Sequence, residues 1–153
     1  MCGRRRVPEG MLRAAAIALL FLPAMTVVRH ATPFSVGATP VTITLDAAKA
    51  KSRLLRAPKG DVVLEVSGVT AAKPPGFIAA VFVGDERVGE VSLYAYDTPQ
   101  SFAFPAGAAV AKALRAGTSV PVCFRAESGI EGQPAHVDAP IHIGAVALLI
   151  ERN

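Results

Sequence analysis

VVLEVSGVTAAKPPGFIAAVFVGDERVGEVSLYAY, residues 62–96, is the stretch whose reading decides the fold. Val62, Leu64 and Val66 alternate with Val63, Glu65 and Ser67, the period-two pattern of a strand with one buried face. Pro74-Pro75-Gly76 then breaks the chain in a turn, Pro fixing φ and Gly free to take positive values. FIAAVFV, 77–83, is apolar on both sides, as an interior strand requires. Gly84-Asp85 is hairpin-turn chemistry, so VGEVSLYAY, 88–96, returns antiparallel. On that strand Tyr94 and Tyr96, the only tyrosines of the chain, are expected on one face. Two readings of them stay open: a surface offered to a partner, or two amphipathic aromatics packed on a sheet with their hydroxyls at the edge.

Working outward, the same grammar continues. VTITL, 41–45, is β-branched and alternating and reads as the first strand. DAAKAKSRLLRAPKG, 46–60, is a basic connector, either a short helix or irregular. SFAF, 101–104, is a short strand. Residues 106–117 form the one convincing helix, with Val110, Ala113 and Leu114 as its apolar stripe and Gly117 closing it. SVPVCFRA, 119–126, is a strand that Pro121 should confine to an edge or a bulge. A long loop, 127–140, leads to IHIGAVALLIE, 141–151, a final strand. Short strands joined by turns, with one helical crossing, predict an all-β antiparallel β-sandwich, jelly-roll-like. The chain is 52% hydrophobic, too apolar for extensive disorder, and its 153 residues suffice for one core.

The N-terminus has its own pattern. MCGRRRVPEGMLR is a positive segment, AAAIALLFLPAMTVV an apolar run, and RHATPFSVGA a polar, small-residue tail. This order predicts a signal peptide over 1–38, with cleavage after Val36-Gly37-Ala38 and a mature chain near Thr39. Either Met1 or Met11 serves as a start. The alternative is an N-terminal membrane anchor, for which the run is short and interrupted by Pro23. The expected organisation is therefore a signal peptide, 1–38, a lead-in strand and basic connector, 39–60, and a sandwich domain, 61–153. The product is expected to be exported, periplasmic or extracellular, with no stable membrane insertion once the leader is gone.

Charge and chemistry narrow the function. The net charge of +4 comes from the leader; residues after 38 carry eleven basic and eleven acidic side chains. That balance removes the case for nucleic-acid binding. Cys123 is the single cysteine after the leader, so no internal disulfide is expected. Its place between Val122 and Phe124 predicts a small, buried, inert thiol. His136 and His142 are the histidines outside the leader, with Asp138 between them. These three residues are the weak metal candidates, though their spacing follows no strong ligand motif. No G-x-S-x-G, phosphate loop, H-E-x-x-H or C-x-x-C occurs, so no enzyme and no cofactor are expected.

The segments VVLEVSGV, KPPGF, VFVG and VGEVSLYAY, closing with APIHIGAVALLI, together resemble the C-terminal domain of bacterial tyrosinases and plant polyphenol oxidases, over about residues 61–153. In that family the sandwich follows a dicopper catalytic domain and covers its active-site mouth, where a side chain of the sandwich can occupy the substrate position. A coupled dicopper site takes six histidines from a helical bundle, which this chain does not have. The resemblance thus implies the lid without the enzyme: a non-catalytic monomeric module that docks on or shields a separate tyrosinase-like partner, with Tyr94 and Tyr96 as the partner-binding candidates. The alternative is a small periplasmic metal-binding or copper-delivery protein using His136, Asp138 and His142.

Overall fold

The computed structural model describes residues 24–151. Ten strands and two helices follow one another as β1 (Met25–His30), β2 (Phe34–Val36), β3 (Val41–Asp46), α1 (Lys51–Arg56), β4 (Val62–Val69), β5 (Ile78–Val83), β6 (Glu86–Val91), β7 (Gln100–Pro105), α2 (Gly107–Ala116), β8 (Ser119–Glu127), β9 (Ile141–Ile143) and β10 (Ala145–Ile150). A single 3-10 turn, Lys59–Asp61, precedes β4.

Two four-stranded antiparallel sheets carry the fold, in the orders β1-β10-β4-β7 and β3-β8-β5-β6; β2 and β9 form a small third pair. The topology is a rolled strip. Outermost strands pair first with last, β1 with β10; the next pairs are β3 with β8, β4 with β7 and β5 with β6. Rolling that strip brings β10 against β4 and β8 against β5. This is the jelly-roll solution, in which two packed sheets bury one face each.

The core follows from the register. Val28, Leu148, Leu64 and Phe104 stand side by side across one sheet. Val41, Phe124, Val81 and Gly89 stand across the other. Leu148, Leu64, Phe124 and Val81 are wholly buried. At the end of its row Phe104 crosses to the opposite sheet, where Gly89 leaves room: a Cβ on Gly89 would collide with the ring. Val63, on the other face of β4, is buried too, in a small cluster with Ala147 and Leu149. Burial on both sides of β4 goes beyond the one-faced expectation.

The structure departs from the sequence reading in five places. First, the folded chain starts before residue 39. β1 and β2 lie within the stretch expected as leader, so the boundary at 38 falls inside the sandwich; residues 1–23, the rest of that stretch, lie outside the described residues. A buried strand and the tail of an export signal are both short apolar runs, and composition does not separate them. Second, β6 ends at Val91, so Tyr94 and Tyr96 are not on a strand. Its partner β5 begins at Ile78, opposite Ser92 in register and just after the Pro74-Pro75-Gly76 turn, so β5 offers no strand for residues 93–96 to pair with.

Third, β8 is an interior strand despite Pro121. The Pro121 carbonyl accepts from Gly84 N at 2.9 Å, so its ring nitrogen also faces the β5 side, where β5 has already given way to the hairpin turn. No ladder bond is lost there. Fourth, the final strand is two strands, since the chain passes from the small sheet to the large one at Gly144. Gly144 and Gly68 approach so closely that a Cβ on Gly68 would stand 3.3 Å from Gly144 Cα, and Gly68 has φ +64°. Fifth, Cys123 is half-buried rather than buried, because it pairs with Phe82 and Thr42 on the outer face of its sheet.

The helices occupy one end. α2 buries Val110 and Leu114 of the expected stripe, Ala113 being half-buried, and its last residue leads into an extended Gly117. Lys112 ties α2 to the β5–β6 turn through Asp85 at 2.9 Å and Glu86 at 3.4 Å. No helix among the described residues is long and apolar enough to cross a membrane.

Candidate functional site

The end opposite the helices is built from three connections: β4–β5 (70–77), β6–β7 (92–99) and β8–β9 (128–140). They converge because β5, β6 and β8 are antiparallel neighbours whose ends meet there, with Ala79 opposite Val91 and Ile78 opposite Glu127.

Backbone hydrogen bonds hold these loops together. Ala71 N donates to Tyr96 O at 2.6 Å, joining the first loop to the second, and Asp138 N donates to Pro75 O at 2.8 Å, joining the first to the third. Thr70 and His142 exchange both of their backbone bonds, at 3.0 and 2.7 Å. Gln100 Nε2 donates to Ala95 O at 2.7 Å. At the centre, Gly76 has φ +79°, and a Cβ there would run into the Asp138 carboxylate and stand 2.8 Å from His136 O. Glycine is required on both counts.

Between the first two loops lies a shallow groove of about 260 Å³, floored by Pro74, Pro75, Phe77, Ile78 and Leu93 and reached by Gly129. The two most exposed large apolar side chains among the described residues each follow a lining residue in the chain. Tyr94, next to Leu93, is 92% exposed, and Ile130, next to Gly129, is 61% exposed. Tyr96 is half-buried. The two tyrosines thus have different surroundings: Tyr96 lies at the tie to Ala71, and Tyr94 projects from the loop that this tie fixes.

The metal candidates do not come together as three. His136 Nε2 stands 3.1 Å from Asp138 Oδ1, both on the long loop. His142 is on β9, its side chain on the face away from buried Ile141 and Ile143, as alternation requires. A 2.7 Å hydrogen bond joins its Nδ1 to Ser35 Oγ. Among the described residues no group of three or more His, Cys, Asp or Glu side chains stands close enough to hold a metal ion.

A second cleft, of about 320 Å³, lies at the helical end between α2 and the β5–β6 turn. Ala109, Ala113, Val83 and Pro121 line it, and Lys112 and Asp85 stand at its rim. The hydrogen bond from Lys112 holds the Asp85 carboxyl below the usual carboxylate range; the same bond raises Lys112. These rim charges satisfy one another.

The sequence reading names Tyr94 and Tyr96 as candidates; Ile130, Leu93 and the Pro74-Pro75 floor of the groove are not among them. The signal was present: an isoleucine inside a loop of Gly, Glu, Gln and Pro has no alternating neighbours to bury it with. No protein-family model matches the chain, and no curated protein matches it.

Proposed function

We propose that the chain is an exported, non-catalytic sandwich module that docks on a partner through its loop end, with the Tyr94 ring entering a recess of that partner. The observation that carries this reading is the exposure of Tyr94 on a loop tied by backbone bonds. A nearly fully hydrated aromatic ring, next in the chain to Leu93 of an apolar groove, is the kind of feature that marks an interaction surface. Fixing the loop beforehand lowers the ordering cost of binding. Tyrosine suits such contacts, since its ring supplies area and its hydroxyl a hydrogen bond.

The partner we favour is a tyrosinase-like catalytic domain. Two lines support it: the resemblance of the strand-turn-strand segments to the family's lid domain, and a phenol that projects where a phenolic substrate could be imitated. In this reading Tyr94 makes the contact and Tyr96 packs the loop beneath it. No observation favours the copper-delivery alternative over a simple His136–Asp138 contact.

The test is binding to a tyrosinase catalytic domain that lacks its own C-terminal domain, together with thermal stability of the same variants. Tyr94→Ala is expected to keep the melting temperature and to weaken binding by roughly 30-fold or more, the size of a hot-spot residue of at least ~2 kcal/mol. Tyr94→Phe separates contact from phenol mimicry: it retains binding in the first case and loses inhibition of the partner in the second. Absence of measurable binding by the unaltered chain at micromolar concentrations would overturn the choice of partner. Equal binding by Tyr94→Ala would overturn the site.

A further inference from the structure

The structure assigns a different processing site from the one the leader pattern suggests: we propose that signal peptidase cuts the chain between Ala24 and Met25, so that the mature protein begins with β1. This rests on the export reading. The step is a hydrolysis in which water adds across the Ala24–Met25 amide, leaving a carboxylate on Ala24 and an ammonium on Met25.

The argument starts from what a cut after Ala38 removes. It takes away β1, whose residues pair with β10 from Met25 opposite Ile150 to His30 opposite Val146. It takes away β2, paired with β9 from Phe34 to Val36. Val36 is wholly buried, Val28 is buried at the end of the central row, and the Phe34 ring packs 5.3 Å from that of Phe124. Without β1, the inner strand β10 becomes an edge with a run of unpaired backbone groups. The jelly roll loses the outermost strand of its strip. A mature chain starting at Thr39 is therefore incomplete.

The sequence supplies an earlier site. Once Met25–Val28 belong to a strand, the apolar run outside the sandwich shortens to residues 14–24, behind Arg13. A core of seven to fifteen apolar residues after a positive segment is the length an export signal uses. Ala24 puts a small residue immediately before the scissile bond. Judged by residue type alone, Val36-Gly37-Ala38 suits the peptidase at least as well as Leu22-Pro23-Ala24. What decides between them is that only the earlier cut leaves every strand in place.

The experiment is expression of the full chain in a bacterial host, fractionation, and intact mass with N-terminal sequencing of the exported protein. The expected N-terminus is Met25. Ala24 and Ala38 are both exposed, so either accepts a bulky residue without loss of fold. Ala24→Tyr is expected to accumulate precursor about tenfold or more over the unaltered chain, and Ala38→Tyr to process normally. Exported protein that begins at Thr39 would overturn the proposed cut and leave export standing. Uncleaved chain retained in the membrane would overturn the cut in favour of an anchor. Full-length chain confined to the cytoplasm would overturn the export reading and the cut with it.

Discussion

Gly89→Ala tests the closure of the sandwich along the seam where β6 meets β7. A methyl added at Gly89 points inward, opposite buried Val81 in register, and lands on the Phe104 ring, 2.6 Å from Cε1 and 3.0 Å from Cγ. Favourable carbon–carbon separations begin near 3.5 Å, so the ring must tilt or the strands part. Gly89 is not in a positive-φ conformation, so the backbone gives no reason for strain. Without the ring, replacing glycine by alanine would stabilise the fold by roughly 0.4–1 kcal/mol through the unfolded chain. With it, overpacking is expected to cost ~1–3 kcal/mol. The sign alone therefore decides.

Phe104→Leu should cost less than the ~3–5 kcal/mol of truncation to Ala. Combined with Gly89→Ala it should relieve the clash, leaving the double variant ~1–2 kcal/mol more stable than the sum of the single changes. Equilibrium urea unfolding measures all three. At a slope near ~2 kcal/mol per molar, a 2 kcal/mol loss shifts the midpoint by about 1 M. A Gly89→Ala variant as stable as the unaltered chain, or strict additivity in the pair, would refute the packing described between the two sheets.

Leu64, fully buried between Leu148 and Phe104 in register, should cost roughly 2–5 kcal/mol as Leu64→Ala, read from the same urea curves; a loss below about 1 kcal/mol would displace it from the core. For the exposed Asp85–Lys112 pair, carboxyl NMR titration should place Asp85 below the usual range, and Lys112→Met should raise it. Its contribution to stability is present above the unfolded carboxylate pKa and disappears as pH falls through the lowered folded value; that of Lys112 is present below the unfolded amine pKa and disappears as pH rises through the raised one. A chelator should leave the thermal midpoint unchanged, and a drop on its addition would reveal a structural metal.

Where neighbours along the chain determine the outcome, the sequence could be read. Val62, Leu64 and Val66 alternate, Gly84-Asp85 turns, and Val110 and Leu114 share a helix face; each is a local pattern, and each element stands where the pattern puts it. Failures came where the deciding partner is distant. Nothing around Met25–His30 announces that Val146–Ile150 will pair with it. Nothing in VSLYAY shows that β5 begins too late to support a strand beyond Val91. Pro121 suggested an edge because its missing donor was certain, whereas the place where β5 ends was not yet known. Tyr94 and Tyr96 stand out in the sequence by residue type, alternation and the family resemblance; the Ala71–Tyr96 tie that fixes their loop is encoded by none of these.

The pairing of the first strand with the last sets the timing of assembly. Met25 is partnered by Ile150, and β1 has no other neighbour in its sheet. At ribosomal rates of ~5–20 residues per second, roughly 6–25 s separate the emergence of the two. For that interval the nascent sheet cannot close, and the chain stays threadable. A late-closing chain of this kind is one that a translocon, which passes unfolded polypeptide and rejects a finished sandwich, could still thread. The same delay makes a premature stop between β4 and β10 conspicuous to proteases: such a chain exposes β1 and β4 with no strand to lie between them.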